Sequence, residues 1–188
     1  MMAAAAMSFG LAGVGPIFAP WFYGEEFIRC GLFIVLLCPV IIFKGWAGAL
    51  RTQYIIPKKR DKVYLVSLTS GSIVNLAINF ILIPSLQGVG AIIGTIAAEF
   101  TVAFIQFFML RKEIPIKRYI SNGIGFCGIG FIMYIVICML PNMRLLIDSS
   151  PILLMTVQIL CGIIIYISLS VIYMIKIIKQ PVLVNEVL

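Results

Sequence analysis

The sequence predicts an all-α, polytopic membrane protein, a bundle of six transmembrane helices. Of its 188 residues, 62% are hydrophobic, whereas soluble domains hold roughly 45–50% apolar residues. Only 11% of the residues are charged, and the chain contains no His. Runs of about 20 mainly apolar residues, the length needed to cross the ~30 Å hydrocarbon layer as a helix, recur six times. Together these observations exclude a soluble globular protein.

The six apolar runs follow one another with short connections, and we treat them as one membrane domain over residues 1–188. The predicted helices span approximately residues 2–23, 27–50, 63–84, 89–110, 119–140 and 151–175. The longest connection, Arg51–Lys62, is too short for a soluble domain. The sequence also has no nucleotide-binding loop, no catalytic carboxylate pair and no nucleophile with a base. It therefore predicts neither an ATP-driven pump nor an enzyme, and no cofactor.

The net charge of +7 is distributed unevenly over the connections. Basic residues concentrate in alternate connections, at Arg51–Lys62, at Arg111–Arg118, and at Lys176 and Lys179 after the sixth helix. The intervening connections hold few charges, such as Arg144 with Asp148. By the positive-inside rule, this alternation predicts that both termini are cytoplasmic. The basic charge is thus interpreted as a determinant of topology, and no nucleic-acid partner is expected.

The five cysteines are scattered singly through apolar runs. None has metal-ligand spacing or a partner His, so the sequence predicts no metal site. They are interpreted as small buried side chains: Cys30, Cys38, Cys127, Cys138 and Cys161.

Polar residues inside the third and fourth helices are candidate functional groups, because such groups are costly in lipid. Glu99 lies near the middle of the fourth helix with Thr95 one turn earlier, and Asn75 and Asn79 share one face of the third helix. The two helices form an antiparallel hairpin that brings these residues to similar depths. One hypothesis is a polar cavity in which Glu99 carries a proton or binds a cation during transport. The alternative is a buried structural network in which a protonated Glu99 donates to an asparagine.

Lys44 lies two turns inside one end of the second helix, and Arg51 lies at that end. One interpretation is that both side chains snorkel to the headgroups. The other is an inner vestibule where these cations meet the phosphates of a lipid-linked substrate.

Four segments together resemble a known transporter family. They are Phe22–Phe27 after a Pro-containing span, Gln53–Pro57, Asn75–Pro84, and the glycine-rich run Gly88–Thr95 that leads to Glu99. With them, roughly residues 10–110 resemble the Wzx-type polysaccharide flippases of the multidrug/oligosaccharidyl-lipid/polysaccharide exporter superfamily. The last two helices agree with the family only in hydropathy and position.

The resemblance implies a two-lobed transporter of the bacterial inner membrane that alternates between inward-open and outward-open states. Such a protein moves undecaprenyl-pyrophosphate-linked sugar repeats for capsule, exopolysaccharide or O-antigen assembly, with ion-coupled antiport as the family expectation. The expected partners are membrane lipid, the lipid-linked oligosaccharide, and a missing N-terminal lobe or polysaccharide assembly proteins. The candidate pathway residues are Asn75, Asn79, Thr95, Glu99, Lys44 and Arg51.

The chain departs from the family in size. Six helices are fewer than half of the twelve to fourteen that the resemblance implies, and the order of the motifs places the first four helices late in the second lobe. We therefore expect a fragment of a longer transporter, or a chain that pairs with another. Two other functions are considered: a small-molecule efflux antiporter of the same superfamily, which the Asn-rich hairpin disfavours, and a non-transporting membrane scaffold or remnant.

Overall fold

The computed structural model describes residues 1–142 and 150–179, and within these ranges the chain forms six long helices. They are α1 (Met2–Tyr23), α2 (Ile28–Leu50), α3 (Asp61–Leu86), α4 (Gly88–Leu110), α5 (Ile116–Met139) and α6 (Pro151–Lys179). Each is long and apolar enough to cross a membrane. The predicted fold class, an all-α polytopic bundle, is confirmed. Arg144 and Asp148, in the predicted connection between the fifth and sixth helices, lie outside the described residues.

Two connections are shorter than the sequence predicts. The second helix does not end at Leu50 but continues through one π-helical turn, Arg51–Ile55, in which the Ile56 amide donates to the Arg51 carbonyl over 3.0 Å. A single residue, Gln87, separates α3 from α4, and its φ of +48° lies in a backbone region that residues other than glycine rarely adopt. α3 and α4 therefore form a tight antiparallel hairpin.

The helices pack in a row that ends in a cluster of three. α3 packs against α4, α4 against α2, and α2 against α1, which also contacts α5 and α6. α3 is thus peripheral, and its outer face carries large apolar side chains such as Phe80, which is 83% exposed. This apolar face suits contact with lipid, because apolar side chains cost nothing there.

Small residues lie where helices approach most closely. A Cβ added to Gly31 of α2 would lie 2.9 Å from the Pro16 backbone of α1, and one added to Gly90 of α4 would lie 2.6 Å from the Leu82 backbone of α3. A methyl group would therefore force these helix pairs apart. Close backbone approach at small residues is the usual mode of helix association in lipid.

The two basic connections that the structure describes meet at one end of the bundle, here called the basic end. The Arg60 guanidinium, before α3, forms a 2.8 Å ion pair with Glu113, after α4. The Tyr54 hydroxyl also donates to Glu113 over 2.9 Å. The start of α1 also lies towards the basic end, because Met1 and Ala4 lie next to Gly45 in the last turns of α2, and the Tyr166 hydroxyl of α6 donates to the Met2 carbonyl over 2.7 Å. The helices that the structure describes therefore run alternately up and down.

All five cysteines are free thiols. Cys38 is buried between helices, and its thiol donates to the Ile34 carbonyl over 3.2 Å. The prediction of a buried side chain is wrong for Cys138, which is exposed on the outside of the bundle, and Cys30, Cys127 and Cys161 are only partly buried.

Candidate functional site

A charged cleft of about 310 Å³ lies between α2, α3 and α4, in the half of the molecule towards the basic end. Leu68 and Val102 form apolar walls. The polar and charged lining side chains are Lys44, Arg51, Tyr64, Glu99 and Gln106. The volume falls at the lower end of the range of roughly 300–1,000 Å³ that is typical of small-molecule sites.

An ion pair between α2 and α4 lies at the end of this cleft that is farther from the basic end. The Lys44 ammonium is 3.3 Å from a Glu99 carboxylate oxygen, and the two side chains are 62% and 24% exposed. Glu99 is midway along α4, about 16 Å from Gly88 at 1.5 Å per residue. An isolated charge near the centre of a membrane helix costs about 2.5–3.5 kcal/mol. Pairing offsets part of that cost, and water, headgroups or a polar ligand can solvate the exposed part of the Lys44 side chain.

Arg51 supplies a second positive charge in the part of the cleft that is nearer the basic end. Its guanidinium donates to the Tyr64 hydroxyl over 3.4 Å, and its Cζ lies 5.6 Å from the centre of the Tyr64 ring. Within residues 1–142 and 150–179, no carboxylate forms an ion pair with Arg51. Lys44, Arg51 and Glu99 together therefore leave the cleft with one uncompensated positive charge.

Gln106 forms the buried floor of the cleft and is only 1% exposed. Its amide nitrogen donates to the Ser67 hydroxyl over 3.2 Å, and Ser67 in turn donates to the Tyr64 carbonyl over 2.8 Å. The amide oxygen of Gln106 accepts no hydrogen bond from any residue that the structure describes. A buried acceptor of this kind gains free energy when a ligand or water donates to it.

Asn75, Asn79 and Thr95 are not among the residues that line the cleft. The Asn79 amide donates to the Asn75 side chain over 3.0 Å, and Asn79 packs against Gly94, where a Cβ would find no room. The Thr95 hydroxyl donates to the Ala91 carbonyl over 2.9 Å within its own helix. The two asparagines therefore lie at the α3–α4 contact, whereas Thr95 bonds only within α4 among the described residues.

The structure thus divides the six sequence-predicted site residues into two groups. Lys44, Arg51 and Glu99 meet in the cleft, whereas the two asparagines, at the hairpin contact, and Thr95 do not line it. Among the described residues, Glu99 pairs with Lys44 of α2. It neither shares a cavity with Asn75 and Asn79, as one hypothesis supposed, nor donates to one of them, as the other supposed.

Two lining residues, Tyr64 and Gln106, were not among the predicted site residues. Gln106 carries a signal in the sequence, because it lies two turns after Glu99 on the same face of one helix. Tyr64 carries none, since an aromatic residue near a helix end is more readily interpreted as an interfacial anchor.

Two further cavities of similar size are apolar. One of about 390 Å³ lies among α1, α5 and α6, and one of about 350 Å³ lies among α2, α4 and α5. The first contains the buried Gln158, whose amide donates to the Ile137 carbonyl over 3.1 Å. A third cavity, of about 360 Å³, lies between the end of α2 and the start of α5 and is lined by Gln53, Arg118 and Asn122 but by no acidic residue. Among these cavities only the cleft brings opposite charges together, so the cleft is the strongest candidate for a polar ligand.

These features define a multi-pass helical membrane protein with a charged cleft between three of its helices. Comparison of the chain with protein-family models, curated proteins and solved structures finds no match. The chemistry of the cleft and the resemblance of the sequence motifs therefore carry the functional interpretation.

Proposed function

We propose that the chain forms part of the C-terminal lobe of a bacterial inner-membrane flippase. Its substrate would be an undecaprenyl-pyrophosphate-linked oligosaccharide repeat for capsule, exopolysaccharide or O-antigen biosynthesis. The observation that carries the proposal is the cleft, in which two cations face one carboxylate within a membrane-spanning bundle. The motif resemblance over residues 10–110 supports the class of substrate.

A lipid-linked oligosaccharide has one part that tolerates hydrocarbon and two that do not. The prenyl chain stays in lipid, whereas the diphosphate and the sugars need a polar path, because unpaired polar groups are costly there. Arg51 offers the planar fork of donors that suits phosphate oxygens, and Lys44 offers a point charge deeper in the membrane. Tyr64, which also lines the cleft, has a hydroxyl that can exchange hydrogen bonds with a sugar hydroxyl. The cleft thus matches the diphosphate and the adjoining sugar of such a substrate.

The charge balance disfavours the efflux antiporter. Many exported drugs are lipophilic cations, and a cleft with net positive charge repels them. An anionic ligand is attracted by the same charge.

The proposal is tested by ligand binding in nanodiscs. The ligand is a fluorescent farnesyl diphosphate esterified to an N-acetylhexosamine, and the variant carries Lys44→Gln together with Arg51→Gln. Charge-assisted hydrogen bonds contribute about 1.5–3 kcal/mol each, so the variant should bind at least about tenfold more weakly.

The control removes two positive charges from the same end of the molecule but outside the cleft. Lys112, in the α4–α5 connection, and Lys117, in the first turn of α5, are both exposed, and their replacement by Gln should change the affinity by less than about threefold, because exposed charges act only through screened fields. Equal loss in both variants would mean that basic charge alone attracts the ligand. Absence of binding to the unaltered chain would overturn the proposal.

A further inference from the structure

The ion pair between Lys44 and Glu99 places the carboxylate in direct competition with any anion that enters the cleft. The Lys44 ammonium lies 3.3 Å from Glu99, and Arg51 has no acidic partner within the described residues. When Glu99 is ionised, the cleft offers an incoming diphosphate only one uncompensated charge. When Glu99 is protonated, the cleft offers two uncompensated positive charges.

We propose that a proton on Glu99 and a diphosphate in the cleft bind together, each increasing the affinity for the other. This inference rests on the proposed function, since it concerns the same ligand and cleft. A neutral Glu99 releases Lys44 to the phosphate, and a bound phosphate in turn takes Lys44 from the carboxylate and favours its protonation. By thermodynamic linkage the two effects have the same magnitude.

The groups that face Glu99 do not offer another route to this coupling. The other charged or polar residues that line the cleft with it are Lys44 and Arg51 of α2, Tyr64 of α3 and Gln106 of its own helix. Lys44 is the only one of these in ion-pair distance of Glu99 within the described part of the chain. The coupling therefore passes through Lys44.

The inferred effect of the bound proton on substrate affinity is an increase, whereas in simple exchange it is a decrease. In an antiporter whose two ligands share one site, the proton and the substrate displace one another. Here the substrate and the carboxylate compete for one lysine, so the proton and the substrate bind to the same state of the cleft.

The experiment measures proton uptake when the ligand binds. The full chain in nanodiscs of neutral lipid is titrated calorimetrically with farnesyl-diphospho-N-acetylhexosamine, in buffers of different ionisation enthalpy. Both acidic protons of this diester are lost at any pH near neutrality, so every proton taken up enters the protein. We expect an uptake that approaches about one proton per ligand where Glu99 is ionised before binding, and a lower affinity as the pH rises.

The variant Glu99→Gln carries a permanently neutral side chain of the same shape. It should bind the diester more tightly at neutral pH, on the order of tenfold, which is a typical coupling between linked sites. Its affinity should be independent of pH, with no proton uptake. The matched control is Glu113→Gln, which removes the other ion-paired carboxylate at the basic end, outside the cleft, and should keep the behaviour of the unaltered chain.

Two further ligands identify the source of the phosphate. A soluble diphosphate diester without the prenyl chain should show the same proton uptake at lower affinity. Competition by phosphatidylglycerol in the nanodisc, with uptake of the same proton, would assign the cleft to bulk lipid headgroups and overturn the substrate assignment.

The remaining outcomes separate the two proposals. Binding that requires Lys44 and Arg51, but shows no proton uptake and no gain in Glu99→Gln, overturns the coupling and leaves the proposed function intact. Absence of binding by any diphosphate overturns both. If Glu99→Gln does not fold, the proton uptake of the unaltered chain decides the coupling by itself.

Discussion

The strength of the Lys44–Glu99 ion pair can be predicted from its geometry. At the observed 3.3 Å, Coulomb's law gives about 1.3 kcal/mol in bulk water and about 5 kcal/mol at an effective dielectric constant of 20. Because 62% of the Lys44 side chain is exposed, the coupling should lie near the lower limit, at about 1–2 kcal/mol.

The two single variants should differ in stability. In Lys44→Gln the Glu99 carboxylate, which is 24% exposed, loses its partner and cannot reach the headgroups. In Glu99→Gln the long Lys44 side chain can extend towards the basic end. Lys44→Gln should therefore be more destabilising than Glu99→Gln.

The assay is a double-mutant cycle of unfolding in mixed detergent micelles by sodium dodecyl sulfate. Arg60 and Glu113 provide a control pair near the surface, where exposed ion pairs typically contribute about 0.2–1 kcal/mol. Additive effects of Lys44→Gln and Glu99→Gln, within about 0.3–0.5 kcal/mol, would refute the pairing.

Two further predictions concern the packing of the helices. Gln87→Gly should stabilise the hairpin, because Gln87 holds a φ of +48° that costs a non-glycine residue about 1–3 kcal/mol. Thermal melting in detergent measures the gain, with Gln87→Ala as the control. Equal melting temperatures of the two variants would contradict the prediction. Gly71→Ala should destabilise the α3–α4 contact by about 1–3 kcal/mol, because its Cβ would lie 2.5 Å from Val102. The control in the same melting assay is Gly48→Ala, whose added Cβ has no neighbour within 4 Å and which should be neutral or slightly stabilising. Equal melting temperatures of the two glycine variants would show that the close contact at Gly71 is absent.

The helices could be predicted from the sequence because hydropathy and length alone decide which segments can cross a membrane. The predicted ends agree with the structure to within a few residues, with one exception. The polar run Arg51–Ile55 was assigned to a connection but extends the second helix as a π turn. Its residues have the composition of a loop, and the backbone bonds that keep it helical leave no pattern in the sequence.

The grouping of the site residues could be predicted only in part. Helical periodicity places Asn75, Asn79 and the small Gly71 on one face of α3, and the structure turns this face towards α4. Helical periodicity does not, however, show which helix Glu99 faces. That depends on the packing of α2 against α4, two helices that are not neighbours in the chain, and such packing is determined by the shapes of whole helix surfaces.

As proposed above, the cleft is a water-filled site that binds a diphosphate-linked lipid. The most direct test labels a cysteine in the cleft, Leu68→Cys, in a variant without native cysteines, using a charged maleimide that does not enter lipid. Phe80→Cys, on the lipid-facing side of the same helix, is the control. We predict rapid labelling at position 68, protection by the diphosphate-linked sugar, and slow labelling at position 80 with or without ligand. Equal labelling at both positions, or labelling at position 68 that the ligand does not slow, would contradict the claim.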